Sequence, residues 1–179
     1  MLAVAKREHA HPSVRYLRGT AERIPLPDGS CDAALMSQVV QHVEDLPAAA
    51  RELRRVLRPG GHVIVRGTLR ESVPGIPLFE FFPETVAIVE RDFPSGDELS
   101  AVFAREGFEE IAREAVRQQT TASVREWYER VRHRAISTLE QLDDVAFEAG
   151  LERLRRAAEG ETAPQPVVER IDLLVLQRR

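Results

Sequence analysis

Hydrophobic and polar positions change period several times along the chain, and those changes mark out its elements. Leu46, Ala49, Ala50, Leu53, Val56 and Leu57 recur at helical spacing and form one apolar stripe. Arg51, Glu52, Arg54, Arg55 and Arg58 fall on the other side, as a solvated helix face would. Asp45 precedes the stripe as an N-cap whose carboxylate can accept from the free N–H groups of the first turn. Pro47 sits in that turn, where its missing donor costs little. Pro59 disfavours helical geometry at Arg58, and Gly60 can take the left-handed end cap. Val63, Ile64 and Val65 then follow without polar alternation, which predicts a strand covered on both faces, as in a parallel sheet. Upstream, Ala33 to Met36 predicts a second buried-type strand after the turn-forming PLPDGS. Val14 to Gly19 is a weaker strand.

The rest of the chain continues the alternation. A helical segment is expected around Pro83. Ser95 to Glu98 is a capping box whose helix turns Leu99, Val102 and Phe103 inward and stops at Gly107. A strand from Phe108 to about Gln118 follows. Ser123 to Glu126 is a second capping box, opening a helix with Val124, Trp127, Tyr128 and Val131 on one face. Another helix, about Val145 to Ala158, turns Leu151 and Leu154 inward. GETAPQP breaks the chain, and Val167 to Leu176 predicts the last strand. Strand, loop, strand, helix, strand from Val14 to Gly67 is an α/β pattern with parallel crossovers.

Composition narrows the class. At 179 residues, 43% hydrophobic and 30% charged, the chain fits one globular domain with a real core. A net charge of -4 leaves no basic excess to argue for nucleic acid. The one cysteine, Cys31, excludes an internal disulfide and fits a reducing cytoplasm. MLAVA is too short for a signal-peptide core, and LLVL near the other end cannot span a membrane. His9, His11, His62 and His133 show no metal-ligand spacing, so no metal is expected.

From Tyr16 to Val65 the chain reads YLRGTAERIPLPDGSCDAALMSQVVQHVEDLPAAARELRRVLRPGGHVIV. The combined order of GTAE, PLPDGSCD and LRPGG resembles the middle of a class I S-adenosylmethionine-dependent methyltransferase. It is most similar to the small-molecule group that includes quinone-biosynthesis enzymes. The likeness runs from Met1 to about Thr68, and FAREGFEEI with the last strand fits the family's closing antiparallel pair. The resemblance implies methyl transfer from S-adenosylmethionine to a small-molecule acceptor that the sequence does not identify. Such chemistry needs a binding pocket beyond the carboxyl ends of the strands rather than a loud catalytic motif.

By the same resemblance Thr20, Ala21 and Glu22 form the turn that touches adenine. The family usually has an acidic residue where this chain has Thr20. Ser37 and Gln38 face the methionine part of the cofactor. His42 stands above the transfer site as a candidate base, histidine being the residue type suited to proton transfer at physiological pH, or is a loop histidine beside the Asp45 cap. Trp127 and Tyr128 are candidates to line the acceptor pocket, within a helical insertion at 123–160 that covers it. Their spacing is equally what plain helix packing produces.

The family's G-x-G-x-G turn and its ribose-binding acid do not occur among the 179 residues. The implied fold is an incomplete Rossmann-like sheet over 1–179, lacking the first two strands and closing with an antiparallel pair. Met1 to Lys6, without an N-cap, is expected to be the end of a longer helix. Weak cofactor binding is expected, and at the exposed edge beside Ala33–Ser37 either Val14–Leu17 moves in to cover it or the chain self-associates. A non-catalytic module acting by self-association or through a partner chain is the alternative reading. A dinucleotide oxidoreductase is a distant third.

Overall fold

The Pro-Gly-Gly joint organises the sheet. In the computed structural model, which describes residues 2–73 and 75–179, α1 (Leu2–Glu8) precedes β1 (Cys31–Ser37), α2 (Leu46–Val56) and β2 (Leu57–Gly67). Met1, at the head of the expected cut helix, lies outside the described residues. α2 begins as expected, with Asp45 accepting from the Ala48 N–H at 2.8 Å. It ends at Val56, earlier than its apolar stripe suggests, because Leu57 is already extended and pairs with Cys31. Gly60 has φ 78°, a left-handed conformation that favours glycine. A Cβ on Gly61 would come within 2.9 Å of the Arg58 carbonyl and 3.0 Å of the Asp32 carbonyl. The two glycines thus let β2 pass closely over Asp32, where the register shifts before Ala33 pairs with His62.

β1 and β2 are adjacent and parallel, with α2 as the crossover. The chain continues through α3 (Leu78–Phe81), α4 (Thr85–Asp92), α5 (Gly96–Arg105), β3 (Phe108–Thr121), α6 (Val124–Val131), α7 (Ser137–Glu140), α8 (Asp144–Glu159) and β4 (Val167–Arg178). β4 pairs antiparallel with both β2 and β3, which gives a four-stranded mixed sheet in the order β1-β2-β4-β3. The expected parallel core and closing antiparallel pair are both present.

The structure corrects four local expectations. Val14–Gly19 is not a strand; Val14 and Leu17 are exposed, and no strand pairs with them. An extended segment needs a ladder partner to become a strand, and β1 pairs only with β2. β1 itself is not covered on both faces: Met36 is buried, but Leu35 is 64% exposed. β2, which lies between two strands, is buried on the face of Val63 and Val65 and partly covered on the face of Ile64. The helix around Pro83 is two helices, because Pro83 disfavours helical geometry at Phe82 and interrupts the ladder. α7 was not expected; at four residues it is too short to show a period.

Two apolar clusters result. One joins the sheet to α2 and α5 through Leu53, Val63, Val65, Leu99, Phe103 and Leu174. The capping box at Ser95 and Glu98 is formed and starts α5. The other joins α3, α6, α7 and α8 through Phe82, Trp127, Leu139, Phe147 and Leu154. Between them Asp172 of β4 is 5% exposed, and its carboxylate accepts from the Leu69 N–H at 3.0 Å and the Ser72 hydroxyl at 2.7 Å. That pair of bonds ties the 3-10 turn Arg70–Ser72 to the sheet and sets the path into α3.

Candidate functional site

At the carboxyl end of β1 the backbone turns sharply. Gln38 has φ 52°, an uncommon value for a residue with a side chain, and its N–H donates to the Arg66 carbonyl at 2.7 Å. Such turns are held only where the surroundings over-determine them. Here Gly67 contributes, since a Cβ there would meet the Gln38 Oε1 at 3.2 Å. A 3-10 turn, Val40–His42, follows, anchored by buried Val40. The Gln41 amide donates to the Gln38 carbonyl at 3.3 Å, and its nitrogen lies 3.4 Å from the His42 Nε2.

This turn floors a cavity of about 550 Å³, within the range of small-molecule sites. Gln38, Gln41, His42 and Thr68 face it from the sheet side. Its apolar wall comes from the segment 76–79 and from α4, α6 and the 135–138 segment. Trp127 is 3% exposed and meets the Phe81 ring edge-to-face at 5.6 Å. Glu169 of β4 and Thr120 of β3 close the far side.

The candidate residues do not all converge. Gln38, His42 and Trp127 share this cavity. Tyr128 does not line it; it is partly buried against the helical cluster, with the Arg132 guanidinium 5.9 Å from its ring. Ser37 is exposed, and its hydroxyl accepts from Arg66 at 3.1 Å. Thr20 forms a small bridge with Arg23 and lines a second cavity with Arg18, Ile24, Glu52 and Arg55. Ala21 is partly buried beside it. The Glu22 carboxyl is held below the usual range by its own backbone N–H, the Thr20 hydroxyl and the N–H groups of Asp45 and Glu44. That ties the Thr20–Glu22 turn to the loop that leaves His42.

Three features were not found from the sequence. The Glu52–Arg55 pair looked like part of a solvated helix face. In fact Glu52 accepts from the Ile24 N–H at 2.8 Å, and Arg55 donates to the Ile24 and Leu26 carbonyls and to Asp28. The pair clamps the PLPDGS loop onto α2, and i, i+3 spacing of opposite charges was its only signal. Arg66 reaches both Ser37 and Gln118 from the end of β2, which strand periodicity cannot show. Glu169 is the third. Its carboxyl is pushed up by burial, more than the Thr120 hydroxyl pulls it down. Several other carboxyls, among them Glu52, Glu98, Glu110 and Glu152, are shifted the opposite way by arginines or N–H groups.

Residues 1–65 match the model of the methyltransferase domain family. Over 70 residues the chain is 53% identical to a malonyl-[acyl-carrier protein] O-methyltransferase of Serratia marcescens, 38% of this chain and 26% of that one. Over 129 residues it is 25% identical to a demethylmenaquinone methyltransferase of Lysinibacillus sphaericus, 62% of this chain and 55% of that one. Residues 1–65 are thus similar to the methyltransferase domain family. The chain's fold agrees. A solved structure from Anabaena variabilis, assigned to a methyltransferase of an antibiotic biosynthesis pathway, superposes with a TM-score of 0.65 at 20% identity, covering 92% of this chain and 74% of that one.

The matched segments amount to about a quarter to a half of these curated relatives' length. The family match ends within β2, so the cavity's helical wall lies beyond it. No helix among the described residues is long and apolar enough to cross a membrane.

Proposed function

We propose that the chain takes part in methyl transfer from S-adenosylmethionine to a small-molecule acceptor bound in the cavity between the sheet and α6. The observation that carries this is the strained Gln38 turn at the carboxyl end of a parallel strand, opening onto a half-apolar cavity. In open α/β sheets ligands bind beyond the carboxyl ends of the strands. Bound there, S-adenosylmethionine supplies an activated methyl group, and the protein's part is binding and orientation. Thr20, Ala21 and Glu22 would hold the adenine side, and Ser37 and Gln38 the methionine side. Ser37 fits that role because the Arg66 guanidinium beside it can face an anionic group. His42 stands on the acceptor side, where it can take up the acceptor's proton. Residues 123–160 act as the cap, with Trp127 against the acceptor and Tyr128 supporting it from behind. The relatives' names show acceptors of two kinds, a malonyl-[acyl-carrier protein] and a demethylmenaquinone.

The test is calorimetric titration of the 179-residue chain with S-adenosylmethionine. Weak but saturable binding is expected. A carboxylate bond to a ribose hydroxyl contributes about 1.5–3 kcal/mol, so a site without one should bind on the order of 100-fold more weakly than a site with two such bonds. Gln38→Val, a branched residue at positive φ, should remove that binding. No heat at millimolar cofactor would overturn the reading. Micromolar affinity would show that other residues of this chain supply the missing contacts.

The alternative, self-association, is favoured by one observation: the outer edge of β1 is unpaired and carries exposed Leu35. Open apolar edges recruit strands. Light scattering should give a mass above the 20.2 kDa of one chain, and Leu35→Lys should restore the monomer. A monomeric wild type would remove this reading and leave the first untouched.

A further inference from the structure

We infer that Glu169 selects the acceptor: the cavity takes an apolar body that presents a hydroxyl or amine to this carboxyl and rejects one that presents a carboxylate. The inference rests on the methyl-transfer reading only in naming the cavity's occupant as the acceptor.

The placement follows from the sheet. Glu169 pairs in register with Gln118, and Thr120 stands two residues further along the same strand. Glu169 and Gln118 share a face as register partners, the ladder bulges at Thr120, and Thr120 and Glu169 both line the cavity. The wall beside them is apolar, with Trp127, Ile76 and Phe79 in it. A carboxyl in such a setting needs donors. The Thr120 hydroxyl beside it favours its charged form, and among the described residues no ion pair reaches it.

The nearby cations make no ion pair with Glu169. Arg130 also faces the cavity, but its guanidinium donates to Glu126 at 2.6 Å and to the Thr120 carbonyl at 3.1 Å. Arg170 lies 3.8 Å from Asp172, and Arg117, opposite it in register, borders with it and Glu169 a separate open groove. His42 lines the sheet side of the floor. An acceptor O–H or N–H therefore finds an under-partnered carboxyl at the end of an apolar slot. An acceptor carboxylate would be set against a second carboxyl with no cation assigned to either, an arrangement that disfavours the doubly charged state.

Trp127 provides the readout, since it is the chain's one tryptophan and lies in the wall. The experiment titrates the full chain with para-butylphenol and para-butylbenzoate at neutral pH and follows Trp127 fluorescence. The two probes share an apolar body and differ at the polar end. The phenol should bind about tenfold more tightly, a difference of about 1.4 kcal/mol. Glu169→Gln, which keeps the shape and removes the charge, should bring the ratio close to one. Equal or tighter benzoate binding by the wild type would overturn the inference, as would an unchanged ratio in Glu169→Gln. So would the absence of any Trp127 response to either probe.

Thermal unfolding of the variant supplies an independent control. A carboxyl whose pKa is raised on folding is stabilising at low pH, and that contribution is lost as pH rises through the folded pKa. Removing the ionisable group should therefore leave Glu169→Gln as stable as wild type at neutral pH, or more so. Selective phenol binding without S-adenosylmethionine binding would reject the methyl-transfer reading and leave the selection by Glu169 standing.

Discussion

Asp172→Ala should unfold with a stability lower by about 3 kcal/mol, because two buried donors, the Leu69 N–H and the Ser72 hydroxyl, lose their acceptor together. For a chain of this size that corresponds to a fall in Tm of roughly 6–12 °C. The effect should also reach the cavity. The Arg70–Ser72 turn leads into the segment carrying Ile76 and Leu78, which form part of the cavity wall. Asp172→Asn retains one acceptor oxygen but turns an amide donor toward a second donor, so its loss should be smaller. Thermal melts followed by circular dichroism check both. A change below about 1 kcal/mol for the alanine variant would show that water replaces the carboxylate and that the turn is held by other contacts.

Gly150→Ala should be destabilising by about 2–3 kcal/mol, the reverse of what the substitution does in an ordinary helix. There it stabilises by up to about 1 kcal/mol through helix propensity. In α8 the added Cβ would lie 2.2 Å from the Phe82 Cδ1 and 2.4 Å from its Cε1. Phe82 cannot swing aside freely: it is fully buried and stacks on Phe147 with ring centroids 6.0 Å apart. Overpacking of this kind forces off-rotamer side chains or backbone shifts. The measurement is denaturant unfolding of Gly150→Ala alone and combined with Phe82→Leu. The double variant should show a favourable coupling, because the smaller side chain yields room for the methyl group. A stabilised single variant would mean that α8 shifts away from Phe82 with little loss.

The elements with strong periodicity and explicit stop signals were legible from the residues. α2, α5, α6 and α8 appear where stripes and caps placed them, because amphipathic spacing and side-chain caps act within a few residues. β2 and β4 were legible as apolar runs. The errors fall where a neighbour decides. Val14–Gly19 has strand composition but no partner. Leu35 looked buried but lies on an edge strand. Arg55 looked solvated, yet folds back onto the carbonyls of a loop some thirty residues earlier.

The candidate site divides the same way. Gln38 and His42 follow a strand end within one short turn, so local order alone brings them to the cavity. Trp127 lines the cavity and Tyr128 does not, although both share one helical stripe. A stripe wide enough to pack a helix is wider than the mouth of a pocket, and only the crossing of α6 over the sheet decides which ring faces in. Thr20 stands apart from Gln38, on another cavity, for a similar reason: the Glu52–Arg55 clamp rather than the loop's own residues fixes where that turn rests.

By itself the sequence determined the class of fold, the crossover at Pro59–Gly61 and the turn that opens the site, because each rests on backbone preferences and spacings that act over one or two turns. Only the tertiary structure decided that Glu169 faces an apolar cavity, that Asp172 holds the path to α3 and that Gly150 must stay bare. Those three facts arise from strands and helices brought together across roughly seventy to a hundred residues of chain, a separation at which no local pattern records the partner.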